Sequence, residues 1–219
     1  NPDDDPDLDN LQVYFEVGGY NSGWLTAVAS GSPVTWSRVP DLPDGTYSWR
    51  VQAKDTYGAT AWSASRTINK DIVKPTISGP TPTGNITSRQ PLISAAYSDT
   101  LSGIKLSSVQ MTLNGSLVAA TVSANSISYN PILAPGDYNV VVTVPDIAGN
   151  TQTANWSFTI VNQAPSAPTL NSPANNALVT SNPTFSATVS DPDLDTVQAY
   201  FEVGGYNSGW LTAVASGST

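Results

Sequence analysis

Alternation of apolar and polar residues recurs along the chain, and no stretch carries a helical period. Across residues 47–53, Tyr47, Trp49, Val51 and Ala53 fall on one side. Ser48, Arg50 and Gln52 fall on the other, as expected of a strand with one buried and one wet face. Residues 138–144 repeat the pattern, with Tyr138, Val140, Val142 and Val144 on the inner side. Turn-forming clusters at 42–45, 114–115, 134–136 and 148–150 separate such runs. An all-β chain is predicted.

The pattern repeats at two levels. Residues 5–33 and 191–219 differ at four of 29 positions, Asn10/Thr196, Leu11/Val197, Val13/Ala199 and Pro33/Thr219, at an offset of 186 residues. Such near identity marks a recent or homogenised tandem array. Identity stops abruptly before Asp5, where residues 1–4 have no counterpart in 187–190. A second, weaker repeat lies inside the period. L-x-x-G-x-Y occurs at 42–47 and 133–138, each followed by D-x-x-G at 55–58 and 146–149, and S-A-x-x-S-D occurs at 94–99 and 186–191. Each period therefore holds two related domains.

Boundaries follow from this. Residues 1–71 are expected to form a domain lacking its first strands, 72–163 a complete domain, and 164–219 the N-terminal part of the next. Residues 164–219 followed by 34–71 make one whole domain, and with 72–163 they fill the period. The junctions are short, and Pro75, Pro165 and Pro168 stiffen them, which predicts a semi-rigid rod. Strand donation between copies is a second way to complete the part-domains. The overlap of 5–33 with 191–219 is redundant for it, so one longer continuous chain is the expectation.

Composition narrows the function. The chain has no Cys and no His, which removes disulfides, Cys/His zinc sites and His-activated nucleophiles. The net charge is −9, and the few Lys and Arg do not cluster, which argues against nucleic acid as a partner. No apolar run reaches the roughly 18 residues of a membrane span. Only 11% of residues are charged, while small polar residues abound, the texture of a secreted β protein. An extracellular or cell-surface location is expected. No pair of carboxylates sits in an apolar setting suited to acid–base catalysis, so the chain is not expected to be an enzyme.

The candidate chemistry is acidic and aromatic. Asp5, Asp7 and Asp9 alternate, as do Asp191, Asp193 and Asp195. These loops are expected beside the hairpin carrying Asp55, at one end of the domain. Asp99 and Asp146 are the equivalents in the middle domain. Carboxylates from two such loops can coordinate Ca²⁺, which takes six to eight oxygens. The plainer reading is that Asp supplies local turn bonds. Tyr20 and Trp24, repeated as Tyr206 and Trp210, are candidates to stack on a glycan or on a neighbouring copy. The plainer reading there is a turn with a core Trp. Trp36, Trp49 and Trp62 are expected in the core.

Residues 164–173, the Asn182-Pro-Thr-Phe-Ser run, residues 191–195 and Tyr200-Phe-Glu-Val together resemble bacterial fibronectin type III-like repeats. The segments 45–55 and 61–63 continue that resemblance. The middle segment is similar to bacterial immunoglobulin-like repeats through Asp99, Ser102-Gly-Ile, Leu113-Asn-Gly, Asp146-Ile-Ala-Gly-Asn and Trp156-Ser-Phe-Thr-Ile. The resemblance implies tandem Greek-key β-sandwiches, used as stalks, spacers or filament bodies in adhesins, surface-layer proteins and secreted enzymes. It implies neighbouring copies of the same chain, or surface glycans, as partners. Leu8 and Leu194 stand where the family's acidic loop carries Gly. L-x-x-G-x-Y resembles the tyrosine corner of such sandwiches, with Tyr47 and Tyr138 bonding back to the backbone.

Overall fold

The computed structural model describes residues 9–37 and 41–219, and its regular structure is almost entirely strand. Among the described residues the one helical turn is a 3₁₀ segment, Leu106–Ser108.

The first sheet joins β1 (Asn10–Val17), β2 (Tyr20–Asn21), β3 (Val28–Ala29), β4 (Gly45–Lys54), β5 (Thr60–Trp62) and β6 (Arg66–Lys70). Its order is β2-β1-β4-β5; β3 also pairs with β1 and β6 with β4. Val17 sits opposite Trp49, Phe15 opposite Val51 and Val13 opposite Ala53, so the predicted apolar side of 47–53 meets the apolar side of β1. That side is only partly covered. Leu11, Val13, Val17 and Ala53 are buried, but Tyr47, Trp49 and Val51 are half-buried. An apolar hollow of about 410 Å³, lined by Phe15, Val17, Trp36, Trp49 and Ile68, remains. Among the described residues, 30–44 add no strand over it.

Trp62 departs from the expected core position. It lies across from Gln52 on the wet side, 41% exposed, edge-on to Tyr14 at 6.1 Å, with the Arg50 guanidinium 4.0 Å above its ring. Its neighbours set this. Residue 62 pairs with residue 52, and Gln52 belongs to the polar side.

The middle of the chain closes into a two-sheet sandwich. Its strands are β7 (Thr76–Thr81), β8 (Gly84–Ile86), β9 (Ile93–Ser98), β10 (Gln110–Leu113), β11 (Ser116–Leu117), β12 (Thr121–Val122), β13 (Ser126–Tyr129), β14 (Gly136–Pro145) and β15 (Thr151–Ile160). One sheet runs β11-β10-β14-β15-β8 and the other β12-β13-β9-β7. Alternation works here because both sheets are present. Val140, Val142 and Val144 are fully buried and meet Ile93, Tyr97, Met111, Ile127, Phe158 and Ile160. Each such side chain stabilises the fold by about 1.5–3 kcal/mol on full burial. Tyr138 stacks on Phe158 at 5.3 Å, and its hydroxyl donates to the Ala134 carbonyl at 2.8 Å. Tyr47 does the same toward Pro43, at 2.9 Å. Asn114 (φ 50°) and Gly115 (φ 80°) make the two-residue turn between β10 and β11, the conformation Asn-Gly favours.

Beyond residue 163 come two separate hairpins, β16 (Thr169–Ser172) with β17 (Ser186–Thr188), and β18 (Tyr200–Val203) with β19 (Tyr206–Trp210). Isolated bridges Val189↔Ser218 and Val197↔Val214 tie the segment between the hairpins to the residues that follow β19. Leu170, Phe185, Val203 and Trp210 remain exposed.

Candidate metal centre

Three separated stretches bring carboxylates together at one end of the middle sandwich. Asp71 follows β6, Asp99 follows β9 and Asp146 follows β14. One oxygen from each lies within 4.8 Å of the others. Asp146 is fully buried. Its Oδ1 accepts from the Gly149 and Asn150 N–H groups at 2.6 and 2.8 Å, and its Oδ2 accepts from Asn150 Nδ2 at 2.7 Å. These bonds hold the D-x-x-G turn and fix the carboxylate's direction. Asp99 Oδ2 accepts from Leu101 and Gly103 N–H, whereas its Oδ1 is buried and has no hydrogen-bond partner.

Asp71 was not evident as a site residue in the sequence. Its carboxylate accepts from Val73 N–H and Ser102 N–H, both at 3.0 Å, and its carbonyl accepts from Asn150 Nδ2 at 3.1 Å. A hydrogen bond to the Ser102 side chain, helped by the Val73 and Ser102 N–H groups, holds the Asp71 carboxyl below the usual carboxylate range against the opposing effect of burial.

Among the described residues no Lys or Arg forms an ion pair with Asp71, Asp99 or Asp146. Three carboxylates this close repel unless a cation or a proton intervenes. A hard divalent cation bound here would satisfy the orphaned Asp99 Oδ1 and offset the repulsion. The donor set is oxygen only, which suits Ca²⁺.

The second acidic loop is differently satisfied. Asp191, Asp193 and Asp195 also converge within 4.8 Å. Asp193, however, accepts from Gln163 N–H at 2.7 Å and Gln163 Nε2 at 2.9 Å, and Asp195 pairs with Arg89 at 3.1 Å. The Gln163 backbone and side chain, with a smaller contribution from the Arg89 charge, hold the Asp193 carboxyl below its ordinary range against desolvation. Gln163 stands as far before Asp191 as Asp71 stands before Asp99. The same position thus supplies a carboxylate at one junction and an amide donor at the other. That shared spacing is the signal by which the sequence could have revealed both residues.

Leu194 adopts φ 63° in this loop. The left-handed region costs a β-carbon-bearing residue roughly 1–2 kcal/mol. Its side chain is 81% exposed, so little packing is lost with it. Leu194→Gly is expected to stabilise the chain by about 0.5 kcal/mol in urea unfolding, the relief of the left-handed backbone less the roughly 0.4–1 kcal/mol that Gly adds to the freedom of the unfolded chain; a destabilised variant would show that the loop carries no strain.

Asp5 and Asp7 lie outside the described residues. Asp9 accepts from the Thr56 hydroxyl at 3.1 Å, and Asp55 Oδ1 accepts from Tyr57 and Ala59 N–H, a local turn arrangement. Tyr20, Trp24, Tyr206 and Trp210 are all exposed. Trp24 packs near Tyr14 at 5.5 Å and has Lys54 Nζ 4.4 Å above its ring. One face of that ring is therefore occupied by a cation.

No protein-family model matches the sequence, and no curated protein matches it. Solved structures similar to the chain include the fibronectin(III)-like modules of Clostridium thermocellum CbhA, at 16% identity over 71% of this chain and 80% of that one, TM-score 0.33. Drosophila N-cadherin EC1-4 matches at 16% identity over 70% of this chain and 42% of that one, TM-score 0.35. Dimeric latent PorU of Porphyromonas gingivalis matches at 17% identity over 94% of this chain and 24% of that one, TM-score 0.37. The fold itself is fixed by the chain's own sheets: it is an all-β assembly of mainly antiparallel sheets with an immunoglobulin-like two-sheet sandwich at its middle.

Proposed function

We propose that the chain is a non-catalytic repeat segment of a long extracellular or cell-surface filament or adhesin, acting as a semi-rigid rod. The observation that carries this reading is that both connecting segments are bonded into the loops of the unit they lead into. Asp71 is tied to Ser102 and Asn150, and Gln163 to Asp193. A linker held at both ends transmits bending between units, whereas a free one does not. Ca²⁺ at Asp71, Asp99 and Asp146 would brace the first junction, because its ligands come from both the linker and the sandwich. The second junction is braced by Gln163 and Arg89 without metal.

Small-angle scattering on the 219-residue chain tests both parts. An extended particle in Ca²⁺ that becomes shorter on average and more variable in chelator is the expected result. A particle that is equally flexible in both conditions would overturn the rod. A stiff particle indifferent to chelator would leave the rod standing and remove the metal.

A further inference from the structure

The first sheet has two faces, and only one of them borders the apolar hollow. Strand pairing sets Glu16 opposite Arg50, and both Tyr14 and Trp62 opposite Gln52, so these side chains share the outer face. Whatever lies over the hollow covers Phe15, Val17 and Trp49 and leaves the outer face as it is. Two features sit side by side there. One is a band of rings, with Tyr14 5.5 Å from Trp24 and 6.1 Å from Trp62. The other is a polar pocket of about 290 Å³ whose lining includes Glu16, Gly18, Thr46, Ser48, Arg50 and Ser65. Arg50 joins the two, because its guanidinium borders the pocket and lies 4.0 Å above the Trp62 ring.

Backbone builds the pocket's wall. Gly18 opens the turn between β1 and β2 at φ 53°, and its N–H donates to the Ser48 carbonyl at 3.1 Å. A β-carbon at Gly18 would overlap the Tyr47 ring, so the turn rests directly on that ring. Tyr47 is itself anchored through its hydroxyl to the Pro43 carbonyl.

The polar groups are held in place but not used up. Arg50 Nε donates to Glu16 Oε2 at 2.8 Å, which sets the two groups abreast. Glu16 Oε1, the terminal nitrogens of Arg50 and the hydroxyls of Ser48 and Ser65 have no hydrogen-bond partner among the described residues. An acceptor, a forked donor and two hydroxyls therefore border one space with bonding capacity to spare. A carboxylate beside a guanidinium suits two neighbouring hydroxyls, accepting from one and donating to the other. The two charges cancel, and the chain's net charge of −9 works against an anionic ligand. Trp62, 41% exposed, adds an apolar surface at the rim. Vicinal hydroxyls next to an aliphatic ring face are the chemistry of an uncharged pyranose.

We propose that this pocket is a binding subsite for one unit of a neutral polysaccharide. Glu16 and Arg50 hold a pair of adjacent hydroxyls, Ser48 and Ser65 face further ones, and the C–H face of the sugar lies against Trp62. The pocket is open and a single ring supplies the apolar contact, so the affinity of one site is about millimolar. The inference goes beyond the rod and needs no metal.

Affinity electrophoresis of the full 219-residue chain tests it. The gels contain EDTA throughout and one of hydroxyethylcellulose, xylan, mannan or dextran, with polygalacturonate as the acidic comparison. Retardation by at least one neutral polysaccharide and none by polygalacturonate is the expected result. Ser65→Trp fills the pocket from an exposed position, and Glu16→Gln removes the acceptor's charge while keeping its size. Each is expected to weaken binding about tenfold or more, the scale of a hydrogen bond to a charged group, with the urea unfolding midpoint unchanged. Trp24→Ala, at the far end of the ring band, is expected to leave binding as it was. The proposal would be overturned by any of three outcomes: no retardation by a neutral polysaccharide, equal or stronger retardation by polygalacturonate, or binding that is lost in Trp24→Ala but kept in Ser65→Trp and Glu16→Gln. Because EDTA is always present and the readout does not depend on particle shape, such a failure leaves the rod and its metal standing.

Discussion

Phe158→Ala is expected to destabilise the middle sandwich by about 3–5 kcal/mol, the range for removing a buried aromatic side chain from a core. Phe158 is 2% exposed, stacks on Tyr138 and lies within the cluster that includes Val140, Val142 and Ile160. Its removal opens a hole bounded by two well-formed sheets, and neither can collapse without breaking ladder bonds. For a domain of this size each kcal/mol lowers the melting temperature by roughly 4–8 °C. Phe15→Ala provides the contrast. Phe15 is half-buried and already borders the open hollow, so its loss is expected to cost less than half as much. Calorimetry on the two variants decides the matter. Equal losses would mean that the first sheet is as well covered as the second.

Asp146→Ala is expected to cost about 3 kcal/mol even without metal. Three donors, from Gly149 N–H, Asn150 N–H and Asn150 Nδ2, lose their acceptor at the buried Asp146 position, and water reaches only the exposed Gly149 side of the turn. Each buried donor left unpaired costs about 1–3 kcal/mol. Asp146→Asn separates the turn from the metal. Its carbonyl oxygen still accepts the two backbone bonds, while its amide opposes Asn150 Nδ2 and removes a charged ligand. Thermal melts with and without Ca²⁺ should show the wild-type chain gaining stability from the ion and Asp146→Asn gaining little. A Ca²⁺-dependent rise of the same size in Asp146→Asn would place the ion elsewhere.

Where alternation had two sheets to act on, the sequence was a sufficient guide. Tyr138, Val140, Val142 and Val144 face inward because β14 lies in a closed sandwich. The same alternation at 47–53 located the apolar side but not its degree of cover, since cover depends on strands remote in the chain. The L-x-x-G-x-Y spacing placed Tyr47 and Tyr138 within reach of the carbonyl four residues back, a local relation that needs no tertiary knowledge. Trp62 was misplaced because a lone Trp in a three-residue strand has no alternation of its own; its side is set by Gln52 across the ladder.

The acidic loops show the same division. Asp99 and Asp146 were marked by their turns, and turns are local. Asp71 stands alone in a connecting stretch, and only the chain's return brings it to Ser102 and Asn150. Nor does sequence show which carboxylates are already matched. Asp193 and Asp195 have the same spacing pattern as Asp5 to Asp9, yet Gln163 and Arg89 reach them from segments far upstream.

The pairing of β8 with β15 bears on how a pulled chain would yield. These strands run parallel, with Gly84 opposite Phe158 and Ile86 opposite Ile160, and Val161 N–H adds a bond to the Ile86 carbonyl at 2.8 Å. One lies near the start of the sandwich and the other is its last strand. Tension applied through the two connecting segments draws them in opposite directions along their length. Every bond of that ladder is then loaded together in shear, and none can open before the others. The β16–β17 hairpin, whose strands are antiparallel, would peel apart one bond at a time under the same tension. The middle sandwich is thus the element built to resist extension, and the hairpins beyond it are the first to give.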